Sequence, residues 1–290
     1  MSDEGDSDSL VQALRNAYAR LVAGNASGQA LRINSRIFVG VRGDDRCNLD
    51  LANLRRTIYE EIEPQHPASR LVQVVGDSGT AFDEAKIPFA QKALSRHLGG
   101  DLLIEYGFTC VEHDANWLVQ DHISRRPEVA ACTIANIVGQ SLEALNSAKW
   151  TGSEHLRTFV VLYNENGTPT KFGEDCWVSD GILSGETGDK LLCFEGGLQA
   201  FHQCVNALLA GIEVLAMADL RPAKDAPRLS AAQLLLSIAD LRDDSNPSGH
   251  LVNWLDVSLP GREEYSPGVR NDLTRLQEAG IGIAWLIKEM

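Results

Sequence analysis

The chain has 290 residues, 44% of them hydrophobic, and a formal net charge of −14. That much apolar material can build the core of one large or two modest domains. The acidic balance excludes a nucleic-acid polymer as partner, because phosphate contacts need clustered Lys and Arg. No apolar run reaches the roughly 18 residues that a membrane helix needs, and the N-terminus lacks a basic stretch followed by an apolar one. The expectation is a cytoplasmic protein without membrane contact. Cys47, Cys110, Cys132, Cys176, Cys193 and Cys204 form no CxxC pair and no zinc spacing, so they read as reduced thiols, and neither a metal nor a cofactor is expected.

Residues 1–9 are small and acidic and read as a disordered tail. Leu10, Leu14, Ala17 and Leu21 mark an amphipathic helix that ends near Gly24, followed by a polar link over 25–29. The run 36–41 reads as a strand, with a helix from about Leu49 to Ile62, closed by Pro64 and Pro67. The strand 71–75 runs into Gly76, Asp77, Ser78, Gly79 and Thr80, small residues able to form a backbone nest for an anion at the start of the next helix. Asp83 fits an N-cap there, and Ile87, Ala90, Leu94 and Leu98 form the helix's apolar face. The run 101–106 is a further strand, ending at Gly107. A helix is expected over 117–124, a strand over 129–138, a weakly helical connection over 139–156, and a strand over 158–163. Residues 169–188 read as one long loop, of the kind that often carries function.

The stretch 189–222 organises the rest. Leu191–Phe194 is apolar throughout, as in a strand buried on both faces. Gly196 and Gly197 turn the chain into a helix with Phe201, Val205, Leu208 and Leu209 on one face, Gly211 stops it, and 212–217 is a second strand. This is a βαβ unit. Further on, Ser230 can cap a helix carrying Leu234, Leu235, Ile238 and Leu241; 250–268 is ambiguous; 271–279 reads as a helix and 281–287 as a closing strand. Strands and helices alternate almost throughout. The expected fold is therefore an α/β, Rossmann-like three-layer fold, with a mainly parallel sheet and helices on both faces. Residues 1–30 would form the tail and first helix, 31–222 the nucleotide-binding core, and 223–290 a C-terminal α/β extension packed on the same domain.

From Leu71 to Pro222, the order of strands, turns and helices resembles the LOG-like (lysine-decarboxylase-like) Rossmannoid superfamily, also called SLOG. The group includes phosphoribohydrolases of cytokinin nucleotides, molybdenum-cofactor carriers and nucleotide-sensing domains. Its enzymes carry a Pro-Gly-Gly-x-Gly-Thr-x-x-Glu turn. Here the run begins Glu195-Gly196-Gly197, with Gln199, Ala200 and Gln203 at the places of the third glycine, the threonine and the glutamate. The family's triple glycine corresponds loosely to Glu105-Tyr106-Gly107. A neutral amide can hydrogen-bond a sugar hydroxyl but cannot offset the positive charge that develops on ribose during N-glycoside cleavage. The resemblance thus implies a retained nucleotide pocket with altered chemistry, or binding alone.

Ligands of open parallel sheets sit at the carboxyl ends of the strands. The ligand-binding candidates are therefore Gly76, Asp77, Ser78, Gly79, Thr80, Gly107, Gly196, Gly197, Gln199 and Gln203, with Glu195 and Glu105 as candidate catalytic groups. Glu195 can equally cap a helix. Glu112, His113 and Asp114 form an acidic loop beside a His, without metal-ligand spacing. Trp117 and Trp177 can stack on a base or simply pack, and His202 is expected on the exposed side of its helix. Three functions follow: binding of a nucleotide-like small molecule, a nucleotide N-glycoside hydrolase using Glu195 or Glu105, or a non-enzymatic interaction scaffold. A homodimer is one assembly open to such a protein.

Overall fold

The computed structural model describes residues 10–25, 27–44, 48–62, 70–76, 85, 87–98, 103–107, 115–130, 132–138, 156–164, 170, 176–217, 230–240, 267–279 and 286–289. Its strands are β1 (Gln29–Ile33), β2 (Arg36–Arg42), β3 (Leu71–Gly76), β4 (Leu103–Gly107), β5 (Thr133–Val138), β6 (Thr158–Tyr163), β7 (Lys190–Phe194), β8 (Glu213–Met217) and β9 (Leu286–Glu289). The helices are α1 (Leu10–Gly24), α2 (Leu51–Ile62), α3 (Ile87–His97), α4 (Ala115–Arg125), α5 (Pro127–Ala130), α6 (Cys176–Ile182), α7 (Leu198–Leu209), α8 (Ala231–Asp240) and α9 (Pro267–Ala279).

All nine strands form one sheet in the order β1-β2-β6-β5-β4-β3-β7-β8-β9. Only the β1–β2 pair is antiparallel; every other pair is parallel. From β3 the chain steps outward through β4, β5 and β6, then crosses back to lay β7 on the opposite side of β3. The strand order therefore reverses between β3 and β7, the arrangement that opens a crevice at the carboxyl rim of doubly wound sheets.

Alternation along the strands explains the three layers. Leu71 and Val75, Leu191 and Cys193, and Val214 and Ala216 face one apolar layer, shared with α2, α6, α7, α8 and α9. Val72 and Val74, Leu192 and Phe194, and Ile104 and Tyr106 face the other, shared with α1, α3, α4 and α5. A strand apolar at every position is what a sheet covered on both faces requires. The fold is a Rossmann-like α/β sandwich, as the sequence reading expects, and among the described residues no helix is long and apolar enough to cross a membrane.

Several local expectations are corrected. The polar link before the second strand leads into β1, which pairs with β2 through a two-residue turn whose Asn34 is left-handed, at φ 54°. The apolar run 129–138 is divided. Pro127 starts the short α5, the Val129 N–H donates to the Arg126 carbonyl, and the strand begins only at Thr133. The long loop 169–188 contains α6 and a 3-10 turn at Gly185–Thr187. The closing strand lies later than expected, at 286–289, where it pairs with β8. The proposed Asp83 cap, the acidic tail and the ambiguous region up to 266 lie outside the described residues.

At the amino edge of the sheet, Asp189 is the anchor. Its carboxylate faces Arg55 of α2 with two contacts, Nη1 to Oδ2 at 2.5 Å and Nη2 to Oδ1 at 3.1 Å. It also accepts the Leu71 N–H (2.8 Å), the Ser184 N–H (2.8 Å) and the Thr187 hydroxyl (2.7 Å). One buried carboxylate thus ties α2, β3 and the approach to β7 together.

Helix α4 is buried along most of its length, including the polar residues Gln120, Asp121 and His122. Burial, helped by the nearby Arg126, holds the His122 imidazole below its ordinary pKa of 6.5, so folding favours its neutral form. The unfolded chain takes up this proton more readily than the folded one, so stability falls as pH drops below 6.5. The urea midpoint is expected to be lower at pH 5.5 than at pH 7.5, and the difference to shrink in His122→Gln.

Candidate functional site

The rim between β3 and β7 is built by close backbone approach. Gly76 pairs with Phe194 across the two strands. A Cβ on Gly76 would lie 2.5 Å from the Phe194 carbonyl oxygen and closer still to the Ala115 Cβ at the start of α4. Beyond β7 the chain turns through two left-handed residues, Glu195 (φ 57°) and Gly196 (φ 88°). A Cβ on Gly196 would stand 3.4 Å from the Gly76 Cα and 2.5 Å from the Ala200 Cβ. The glycine that ends β3 and the turn that follows β7 therefore meet at one rim.

The first half of the β7–α7 turn is already engaged by the protein itself. The Glu195 and Gly196 carbonyls accept the Ala232 and Ala231 N–H groups at 3.0 and 2.8 Å. The Glu195 carboxylate accepts the Ser230 hydroxyl at 2.5 Å. Ser230 and Gln233 complete a capping box, in which the Gln233 N–H donates to the Ser230 hydroxyl (3.1 Å) and the Ser230 N–H to the Gln233 side chain (2.9 Å). The turn thus presents carbonyls and a carboxylate to the positive end of α8, the polarity opposite to an anion cradle. The capping role expected of Ser230 is present, and Glu195 serves α8 rather than the helix that follows it. A catalytic role for Glu195 would require its carboxylate to leave Ser230. Ser230→Ala is expected to cost about 1–2 kcal/mol, measured by urea unfolding, through loss of the cap.

The second half of the turn is open. Gly197, Leu198 and Gln199 are exposed, and a Cβ on Gly197 would meet nothing within 4 Å. Gly197 is the N-cap of α7, with no side-chain cap bond, and no acidic residue lies in the first turn. The first N–H groups of a helix have no partner within it, so this end suits an anion. Gln199 donates to the Cys176 thiol of α6 at 2.7 Å. Gln203, one turn further along the same face, is buried, at 9% exposure. Gly107 ends the neighbouring β4. Asp77, Ser78, Gly79 and Thr80 lie outside the described residues, as do Glu112, His113 and Asp114.

Beneath this rim, a polar cluster interrupts the apolar layer that α6 and α7 share with the sheet. Gln73 of β3 stands beside Glu105 of β4 in register, Asn136 of β5 lies diagonally beyond, and Ser179 comes down from α6. All four are at most 2% exposed. The Asn136 amide donates to Glu105 and to the Ser179 hydroxyl (2.6 Å), and Ser179 donates to the same Glu105 oxygen at 3.0 Å. A carboxylate buried in a core is costly to desolvate, and such groups gather at functional sites. Glu105, a candidate from the sequence, is thus joined by three residues the sequence reading did not single out. Their signal was available: Gln73 is the one polar side chain of β3, and Asn136 interrupts the apolar run that follows Thr133 in β5.

The remaining candidates pack. Trp177 lies against the apolar layer of α2, α6 and α7, and Trp117 against the opposite one. His202 is half exposed and holds the α9 carboxylate of Asp272 through Nδ1 at 2.8 Å. Arg275 bonds the other Asp272 oxygen at 2.8 Å and reaches Asn206 at 2.9 Å, so this cluster docks α9 on α7. Among the described residues no group of three or more His, Cys, Asp or Glu is placed to hold a metal.

Fold and rim together define a doubly wound α/β protein with an exposed helix N-terminus at the reversal of its strand order and a buried polar cluster beside it. Neither protein-family models nor curated proteins show a match to this chain.

Proposed function

We propose that this protein binds a nucleotide or nucleotide-like small molecule at the carboxyl rim of its sheet. The observation that carries the reading is the position of the uncapped, exposed first turn of α7 beside the point where the strand order reverses between β3 and β7. Gly197, Leu198 and Gln199 would receive a phosphate, with Gly107, Gln203 and the Gly76–Thr80 turn around the rest of the ligand. The LOG-like resemblance supports the same ligand class. The proposal includes a cytoplasmic setting, which fits the free thiols of Cys132, Cys176, Cys193 and Cys204. Isothermal titration against AMP, NAD and cyclic nucleotides tests it: heat of binding with at least one is expected, and none with any would remove the reading.

A hydrolytic variant of this function rests on Glu105, since the Glu195 carboxylate is held by Ser230. Release of free base from AMP or NAD, abolished in Glu105→Gln, is its expected result.

A further inference from the structure

We infer that the Gln73–Glu105–Asn136–Ser179 cluster reads the ribose hydroxyl pair of the ligand. The inference rests on the binding function proposed above and names the end of the site that would take the sugar.

The donors of Asn136 and Ser179 are spent within the cluster. Both Asn136 amide hydrogens are used, one on Glu105 and one on Ser179, and the Ser179 hydroxyl hydrogen is used on Glu105. What the cluster has left to offer, beside the Gln73 amide hydrogens, is acceptors. Among the described residues, the Gln73 Oε1 and Asn136 Oδ1 atoms are buried with no hydrogen-bond partner. A buried acceptor left unmade is costly, and the two lie on β3 and β5, on either side of Glu105 on β4. A ligand group that completes it must bring O–H or N–H donors and be small. The adjacent hydroxyls of a ribose meet both demands, whereas a phosphate, with acceptor oxygens only, does not.

Position agrees with chemistry. Gln73, Glu105 and Asn136 each lie two or three residues before the carboxyl ends of β3, β4 and β5. Helix α6 runs back toward the amino edge, so Cys176 stands one turn nearer the rim than Ser179. The Gln199–Cys176 contact therefore lies between the cluster and the exposed first turn of α7. A phosphate at Leu198–Gln199 and a sugar at Asn136 would belong to one ligand, entering by parting Gln199 from Cys176.

The test compares AMP with 2′,3′-dideoxy-AMP by titration calorimetry, on the wild type and on Gln73→Leu and Asn136→Leu. The wild type is expected to bind AMP at least 10-fold more tightly than the dideoxy analogue. Gln73→Leu should reduce that ratio toward one while leaving the dideoxy affinity unchanged. Because Gln73→Leu removes an unsatisfied acceptor and adds none, its Tm is expected to equal or exceed the wild-type value, which a purely structural glutamine would not give. Asn136→Leu removes donors the fold uses, so its Tm should fall; the Gln73 variant keeps the test decisive if the Asn136 variant does not fold. Equal affinity of the wild type for the two nucleotides, or a preference for AMP that survives in Gln73→Leu, would overturn the inference while leaving nucleotide binding standing. Absence of binding by either nucleotide would overturn both.

Discussion

Asp189→Ala is expected to be the most destabilising single change at the amino edge of the sheet, costing about 3–5 kcal/mol by urea unfolding. Asp189 is 2% exposed and makes five hydrogen bonds to four groups: two to the Arg55 guanidinium, and one each to the Leu71 N–H, the Ser184 N–H and the Thr187 hydroxyl. Its removal frees two buried N–H groups and leaves a largely buried guanidinium, whose remaining partners include the Tyr59 hydroxyl, the Ile182 carbonyl and Thr187. The damage extends across elements distant in sequence, since α2, β3 and the 184–189 turn meet at this side chain. Arg55→Ala should cost a similar amount, because it strands the Asp189 charge in the interior. The double variant Arg55→Met/Asp189→Leu should lose less than the sum of the two single changes, the signature of a coupled pair. Additive losses would show that the two charges act independently.

Gly196→Ala is the second large effect, and it acts at the opposite edge. The residue sits at φ 88°, where a side chain costs about 1–2 kcal/mol. The new Cβ would lie 2.5 Å from the Ala200 Cβ, within the same rigid turn and helix, and such overpacking costs about 1–3 kcal/mol more. A total loss of about 2–5 kcal/mol is expected in urea unfolding. Gly197→Ala provides the contrast one residue later. Its Cβ would meet open space, and its φ of −97° is ordinary. The fold should therefore tolerate Gly197→Ala within about 0.5 kcal/mol. A Gly196→Ala protein as stable as wild type would mean that the β3–β7 approach is looser than described.

The layered fold was legible because its causes are local. Strands apolar at every position, such as 191–194 and 159–163, declare a sheet covered on both faces, and the spacing of Phe201, Val205 and Leu208 declares a covering helix. Strand order was not legible in the same way, since it depends on which strand ends pack together in space. The approach of Gly76 to the turn after β7 followed from the general behaviour of βαβ units. The use made of that turn did not. Glu195 and Gly196 look identical in sequence whether their turn faces a phosphate or the N-terminus of α8, and Ser230 lies 35 positions away. The boundary at Thr133 was missed because Pro127 at a helix start competes with an apolar run, and proline's preset φ prevailed. Asn136 and Ser179 carry no motif; only the register of β4 against β5, and the reversal of α6 over them, bring them to Glu105.

The most direct test of the account is a crystal structure of the protein with AMP. The account predicts the phosphate within hydrogen-bond distance of the Leu198 and Gln199 N–H groups, at the rim beside β3 and β7. A nucleotide bound at the amino edge near Asp189, or a rim in which AMP is absent and the α7 N-terminus is covered by the protein's own chain, would contradict it.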